Sequence, residues 1–167
     1  MRLAPERASR LALLDTGYLA RAPGAAGEEE AAQRYALLAI ARAQGVRAMA
    51  TEWVQGMVEP ARLRDAVLIE AIVAMFERRS AGIFAQQITA LLNRPDATPA
   101  LRAVRLPTLV SCGRADTWSP PSQHEQIAAL VPGAQLRVID GAGHMCTMER
   151  PEAVAQLLLD WLRAPAA

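Results

Sequence analysis

The chain has 167 residues, 52% of them hydrophobic and 21% charged, with a formal net charge of +1. These values suit one folded domain with a real core and give no electrostatic case for a nucleic-acid or anionic-membrane partner. Every basic side chain is arginine, which excludes a Schiff-base lysine and a P-loop lysine.

Two cysteines, Cys112 and Cys146, do not make a disulfide framework. Leu11–Leu14 is too short for the apolar part of a leader, and Ala66–Phe76 is interrupted by Glu70 and too short to span a bilayer. The expected location is cytoplasmic.

Along the chain, the first segment, up to Ser9, carries Pro5 and resembles the last turn of a helix. Arg10–Gly17 is a short apolar run ending in Asp-Thr-Gly, which predicts a strand buried on both faces and a turn after it. A loop rich in Ala and Gly follows. From Glu28 the pattern turns helical. Glu28, Glu29 and Glu30 suit a helix N-terminus, and Gly45 suits its stop. A second helix is expected over Val46–Val58. A third is expected over Ala61–Arg79, with Leu63, Val67, Ala71 and Ala74 on one face. A fourth is expected over Gly82–Leu92, stopped by Asn93-Arg-Pro95.

The pattern then changes. Leu106–Cys112 reads as a strand ended by Gly113, and Ser122–Leu130 as a helix stopped by Val131-Pro-Gly133. Gln135–Ile139 reads as a second strand of this tail, ended by Asp140-Gly-Ala-Gly143. Pro151–Leu162 reads as a last helix, with Val154, Leu157, Leu158 and Trp161 on its apolar face. Strand, helix, strand, helix argues for an α/β fold with a short parallel sheet.

In such sheets functional groups collect in the loops at the carboxyl ends of the strands. Gly113-Arg-Ala-Asp116 and Gly141-Ala-Gly-His144 are two such loops. On adjacent parallel strands they bring Asp116 and His144 to one sheet edge. There a carboxylate can hold the imidazole Nδ1–H and leave Nε2 to take a proton. An Asp after a strand is commonly a turn residue, and a lone His commonly a packed one. It is their placement in consecutive strand–helix units that points to catalysis.

The run Leu106–Asp116, then Pro120, Val131–Ile139, Gly141-Ala-Gly-His144 and Glu149-Arg-Pro-Glu152, resembles the C-terminal signature of the α/β-hydrolase superfamily. Pro5-Glu-Arg and Arg10–Gly17 are similar to that family's sixth strand and its lead-in. The resemblance implies Asp116 as the triad acid and His144 as the triad base, with no cofactor and a small acyl substrate. It also implies residues 1–17 and 98–167 as hydrolase core, and residues 18–97 as a helical cap-like insertion. The family carries its nucleophile in a G-x-S-x-G elbow upstream of both partners. This sequence contains none, and its serines at 9, 80, 111, 119 and 122 follow no such turn. The expectation is therefore a truncated hydrolase, inactive alone, whose exposed sheet edge beside Arg10–Thr16 leaves it unstable, self-associating or paired with a complementary fragment. The alternative is a non-catalytic module that acts by protein–protein interaction.

Other residues compete for roles. Asp15 is an alternative acid, because some hydrolases place the acid after this earlier strand. Cys146 lies two residues past His144, but a base and nucleophile so close on one tight loop rarely align, so it reads as buried or pocket-lining. Cys112, Cys146, His124 and His144 match no zinc spacing. Met49, Trp53, Met57, Met75 and Phe76 read as the core of the helical block rather than as an acyl pocket. Trp118 and Met145 are expected at the substrate side of the site.

Overall fold

A computed structural model describes residues 4–164. Three parallel strands, β1 (Leu11–Leu14), β2 (Thr108–Gly113) and β3 (Gln135–Ile139), form a sheet in the order β1-β2-β3. Helices accompany it: α1 (Ala25–Gln44), α2 (Val46–Trp53), α3 (Ala66–Glu77), α4 (Ala81–Leu92), α5 (Thr98–Arg102), α6 (Pro121–Leu130), α7 (Cys146–Glu149) and α8 (Pro151–Arg163). The class is α/β, a short parallel sheet flanked by helices.

The described residues divide into two compact units. One comprises the chain up to Tyr18, Met57–Arg62 and the part from Ala97 on; the other comprises Leu19–Gly56 and Leu63–Asp96. The first holds the sheet. Met57–Arg62 belongs to this sheet unit although it lies within the stretch expected as an insertion.

In the sheet unit, every residue of β2 is buried, as expected of a central parallel strand. β1 is not buried on both faces: Ala12 is exposed and its three leucines are half-buried. The apolar run told of a strand but not of its neighbours, and among the described residues β1 pairs only with β2. Alternation along the strands makes two packed faces. Leu11, Leu13, Val110 and Leu136 pack with Ile127 and Val131, and with Leu101 of the short α5. On the other side Ile139 joins Ala142, Cys146 and Val154, with Leu157 and Leu158 of α8. The register pairs Leu14 with Ser111 and Gly113 with Ile139. All three strands therefore end at one edge, and the loops that begin with Asp15, Arg114 and Asp140 leave together.

In the helical unit Leu38, Ala41, Met49, Phe84, Ile88 and Leu92 form the core. Trp53 packs its ring against Phe76 and Phe84, with centroids 5.1 and 5.3 Å apart. Gly45 turns α1 into α2 at φ 94°, a conformation glycine adopts without strain. The single helix expected over Ala61–Arg79 is instead a 3-10 turn, Pro60–Arg64, and then α3. The Asp65 carboxylate separates them by accepting the Leu68 N–H at 3.1 Å as an N-cap. The buried face also differs. Leu68, Ile72 and Val73 are inside, while Val67 is 82% exposed. A segment apolar nearly all round does not reveal its buried face by periodicity.

Candidate active site

The two loops expected to carry chemistry meet at the carboxyl edge of the sheet. The Arg114 N–H donates to Ile139 O and the Ala115 N–H to Ala142 O, both at 2.9 Å, so the loop after β2 is stitched to the loop after β3. Their approach demands glycine. A Cβ on Gly113 would lie 2.1 Å from Gly143 O and 2.4 Å from Ala142 O.

This stitching brings Asp116 and His144 together. His144 Nδ1 lies 2.9 Å from Asp116 Oδ2. Asp116 Oδ1 accepts the Trp118 and Ser119 N–H groups, each at 2.9 Å. The Asp116 side chain is wholly buried, whereas 23% of the His144 side chain is exposed. Burial pushes the Asp116 carboxyl up. The bond to His144, the two backbone N–H donors and the imidazole's charge outweigh it, holding the carboxyl below its ordinary range. The arrangement can fix Nδ1 as the protonated nitrogen and present Nε2 as a base.

Of the residues expected at the substrate side, Trp118 places its ring centroid 5.0 Å from that of His144 and is 38% exposed. Met145 follows His144, half-buried, at the N-terminal cap of α7.

Asp15 sits close by but holds other partners. Its Oδ1 accepts the Gly113 N–H at 2.9 Å, and the Cys146 thiol is hydrogen-bonded to the same carboxyl. Burial raises the Asp15 carboxyl; these two bonds oppose the rise, and the nearby Asp116 charge adds to it. The backbone of Asp15 is in the left-handed region at φ 44°.

Cys112 and Cys146 are fully buried. Burial, with the negative charge of Asp15 and Asp116, pushes the Cys112 thiol up to about 12. Burial and the bond to Asp15 push the Cys146 thiol higher still. Neither is a thiolate nucleophile at neutral pH.

His124, the other histidine, is buried and serves the frame. Its Nε2 accepts the Thr16 N–H at 3.1 Å, and its Nδ1 lies 3.2 Å from Pro120 O. Among the described residues no group of three His, Cys, Asp or Glu side chains could hold a metal ion, and no helix is long and apolar enough to cross a membrane.

The geometry also contains parts that sequence reasoning missed. The His144 N–H donates to Met57 O at 2.7 Å. The buried Glu149 carboxylate accepts from Gly143 and Glu59, both at 2.8 Å. Backbone acceptors such as Met57 O leave no side-chain signature. Glu149 was visible only as part of a Glu-Arg-Pro run.

A model of the alpha/beta hydrolase family matches residues 2–157. Over 71 residues the chain is 42% identical to the polyketide synthase ThaQ of Burkholderia thailandensis, which covers 42% of this chain and 3% of that protein. Over 71 residues it is 36% identical to a 2-hydroxy-6-oxo-6-phenylhexa-2,4-dienoate hydrolase of Burkholderia cepacia, which covers 42% of this chain and 25% of that protein. The fold matches a thermophilic esterase from Thermogutta terrifontis with a TM-score of 0.85 at 32% identity, over 97% of this chain and 58% of the esterase. The chain thus spans less than two thirds of each of these proteins.

Proposed function

Because the chain belongs to the alpha/beta hydrolase family, we propose that it supplies the base and the acid of a nucleophile–His–Asp triad for hydrolysis of an ester, lactone or related small acyl substrate. The observation that carries this reading is the 2.9 Å contact between His144 Nδ1 and Asp116 Oδ2, on loops from adjacent strands.

His144 Nε2 takes the proton of the attacking nucleophile and later returns it to the leaving group. Asp116 holds the tautomer and stabilises the imidazolium as it forms. Trp118 and Met145 line the substrate side. No metal or organic cofactor enters this scheme.

The sequence holds no G-x-S-x-G, so the nucleophile belongs to residues it does not include. The unit as given therefore does not turn over. The edge of β1 that carries no partner strand among the described residues is where further strands, or a second copy, would pair. The absence of the elbow also favours a second reading, a non-catalytic module that binds a protein partner through that edge.

Assaying p-nitrophenyl ester hydrolysis separates these readings. The chain alone is expected to give the background rate. If the in-frame coding sequence upstream of Met1 encodes an elbow, the longer protein should hydrolyse the ester, and His144→Ala should abolish that activity. Turnover by the chain alone that is lost with His144→Ala would refute the missing nucleophile. A stop codon upstream would favour the binding module.

A further inference from the structure

We propose that Glu149 is a positioning residue for His144, acting through the backbone rather than the ring; the inference rests on His144 being the base of the proposed triad. The loop from Asp140 to Met145 leaves β3 with no regular structure to hold it. The Ala115 N–H and Arg150 Nε bonds to Ala142 O and Asp140 O tie its first half, and three contacts surround its His144 end. The His144 N–H donates to Met57 O at 2.7 Å. The Gly143 N–H donates to Glu149 Oε1 at 2.8 Å. Glu149 Oε2 accepts the Glu59 N–H, also at 2.8 Å. The chain runs only two residues from Met57 to Glu59 and one from Gly143 to His144, so these bonds close a small circuit through the backbone of His144.

The circuit is tight. A Cβ on Gly143 would fall 2.8 Å from Glu59 N and from Val58 C. Neither segment has a β-ladder to satisfy these N–H groups, and buried donors need acceptors. An apolar side chain at position 149 would supply none. Glu149 is 2% exposed, and burial lifts its carboxyl despite the N–H bonds from Glu59, Gly143 and Met145 and the charge of Arg62. A desolvated carboxylate with backbone N–H partners is a costly way to fill space. It is an effective way to fix two strands of backbone relative to each other.

Asp15 does comparable work on Gly113, but the acid loop is already held by the Arg114 and Ala115 N–H bonds. The base loop shares the Ala115 bond through Ala142 O, and Glu149 is the side chain that holds Gly143, next to His144. Because His144 Nδ1 must stay at 2.9 Å from Asp116, a tilt of its backbone shows first in that bond.

The test uses the full chain labelled with ¹⁵N, comparing wild type, Glu149→Gln and Glu149→Asp, with Glu152→Gln on the exposed side of α8 as control. Glutamine keeps one acceptor and turns an NH2 toward a backbone N–H. Aspartate keeps both oxygens on a shorter stem. In wild type the Gly143 and Glu59 amides are expected to be protected from hydrogen exchange, and His144 to carry its proton on Nδ1. In Glu149→Gln both amides, and the Nδ1 proton, are expected to exchange roughly tenfold faster or more. Glu149→Asp should fall between, and the control should match wild type.

If the amides lose protection while Nδ1 exchange stays within about twofold of wild type, Glu149 is scaffolding only and the inference fails alone. If wild-type His144 shows no Nδ1 proton held against Asp116, the triad reading fails and takes the inference with it. Should Glu149→Gln not fold, Glu149→Asp decides by the same readouts. Unprotected Gly143 and Glu59 amides in wild type would overturn the inference without any variant.

Discussion

Gly113→Ala and Gly82→Ala make the same chemical change and should have opposite effects. On Gly82 in α4 the added methyl would find Ser80 Oγ at 3.6 Å as its nearest neighbour, an ordinary contact. There it removes only the conformational freedom that makes glycine a poor helix residue, so stability should rise by about 0.5–1 kcal/mol. On Gly113 the methyl would lie 2.1 Å from Gly143 O and 2.4 Å from Ala142 O. Those are backbone atoms, so no side chain can swing aside, and the two loops must part by roughly 1 Å to reach van der Waals separation. Forced separation of packed backbone typically costs about 1–3 kcal/mol. It should also stretch the Asp116–His144 contact from 2.9 Å beyond hydrogen-bond range. Urea titration followed by circular dichroism reads the stabilities, and the His144 Nδ1 proton resonance reads the contact. A Gly113→Ala protein within about 0.5 kcal/mol of wild type, with that resonance intact, would refute the claim that close backbone approach sets the site.

Three further outcomes are expected. Asp15→Asn should stabilise the protein at pH 7–8 and make little difference near pH 3. The folded-state carboxyl is raised by burial, so the stability it allows is complete below the ordinary carboxylate range and falls as pH rises through its raised value. Asparagine also tolerates the left-handed backbone, and thermal melts across pH test the sign. Asp116→Asn should act the other way. Its carboxyl is lowered on balance, so the stability it confers is present at neutral pH and lost as pH falls through the lowered value; the variant should be weaker than wild type at pH 7 and converge with it in acid. Finally, neither Cys112 nor Cys146 should react with a disulfide reagent in the native protein at pH 8, and both should on unfolding, because both are buried and protonated. Rapid native labelling would contradict the burial.

The parts of the fold that were legible in the sequence are those marked by local chemistry. β3 runs over Gln135–Ile139 as expected, because Val131-Pro-Gly133 and Asp140-Gly141 punctuate it on both sides. The end of α1 was legible at Gly45. The break before α3 was not, because Asp65 reads equally as a mid-helix acid until its carboxylate is seen capping Leu68 N–H. The half-exposed β1 was misjudged because an apolar run does not say which strands lie beside it. In the site, the positions of Asp116 and His144 at strand ends were legible, because parallel topology sends such loops to one edge. The supports behind them were not. Met57 O, the N–H groups of Trp118 and Ser119, and the approach of Gly113 to Gly143 are contacts of backbone, and backbone is the same in every sequence.

Three buried or half-buried carboxyl groups gather at this sheet edge, and their surroundings treat them differently. Asp15 and Glu149 are lifted by burial, which their N–H partners only partly offset. Asp116 has the imidazole as a hydrogen-bond partner as well as two backbone donors, and its carboxyl is lowered on balance. A group that must stabilise a forming imidazolium has to be charged at working pH and aligned with Nδ1. Asp15, although it also follows a strand at this edge, bonds the Gly113 N–H and the Cys146 thiol rather than the imidazole, and burial raises its carboxyl where that of Asp116 is lowered. Hydrogen-bond partner and direction of shift both favour Asp116 over Asp15 as the acid of the proposed triad. The lifted pair share another arrangement: Asp15 accepts the N–H of Gly113, three residues before Asp116, and Glu149 that of Gly143, next to His144.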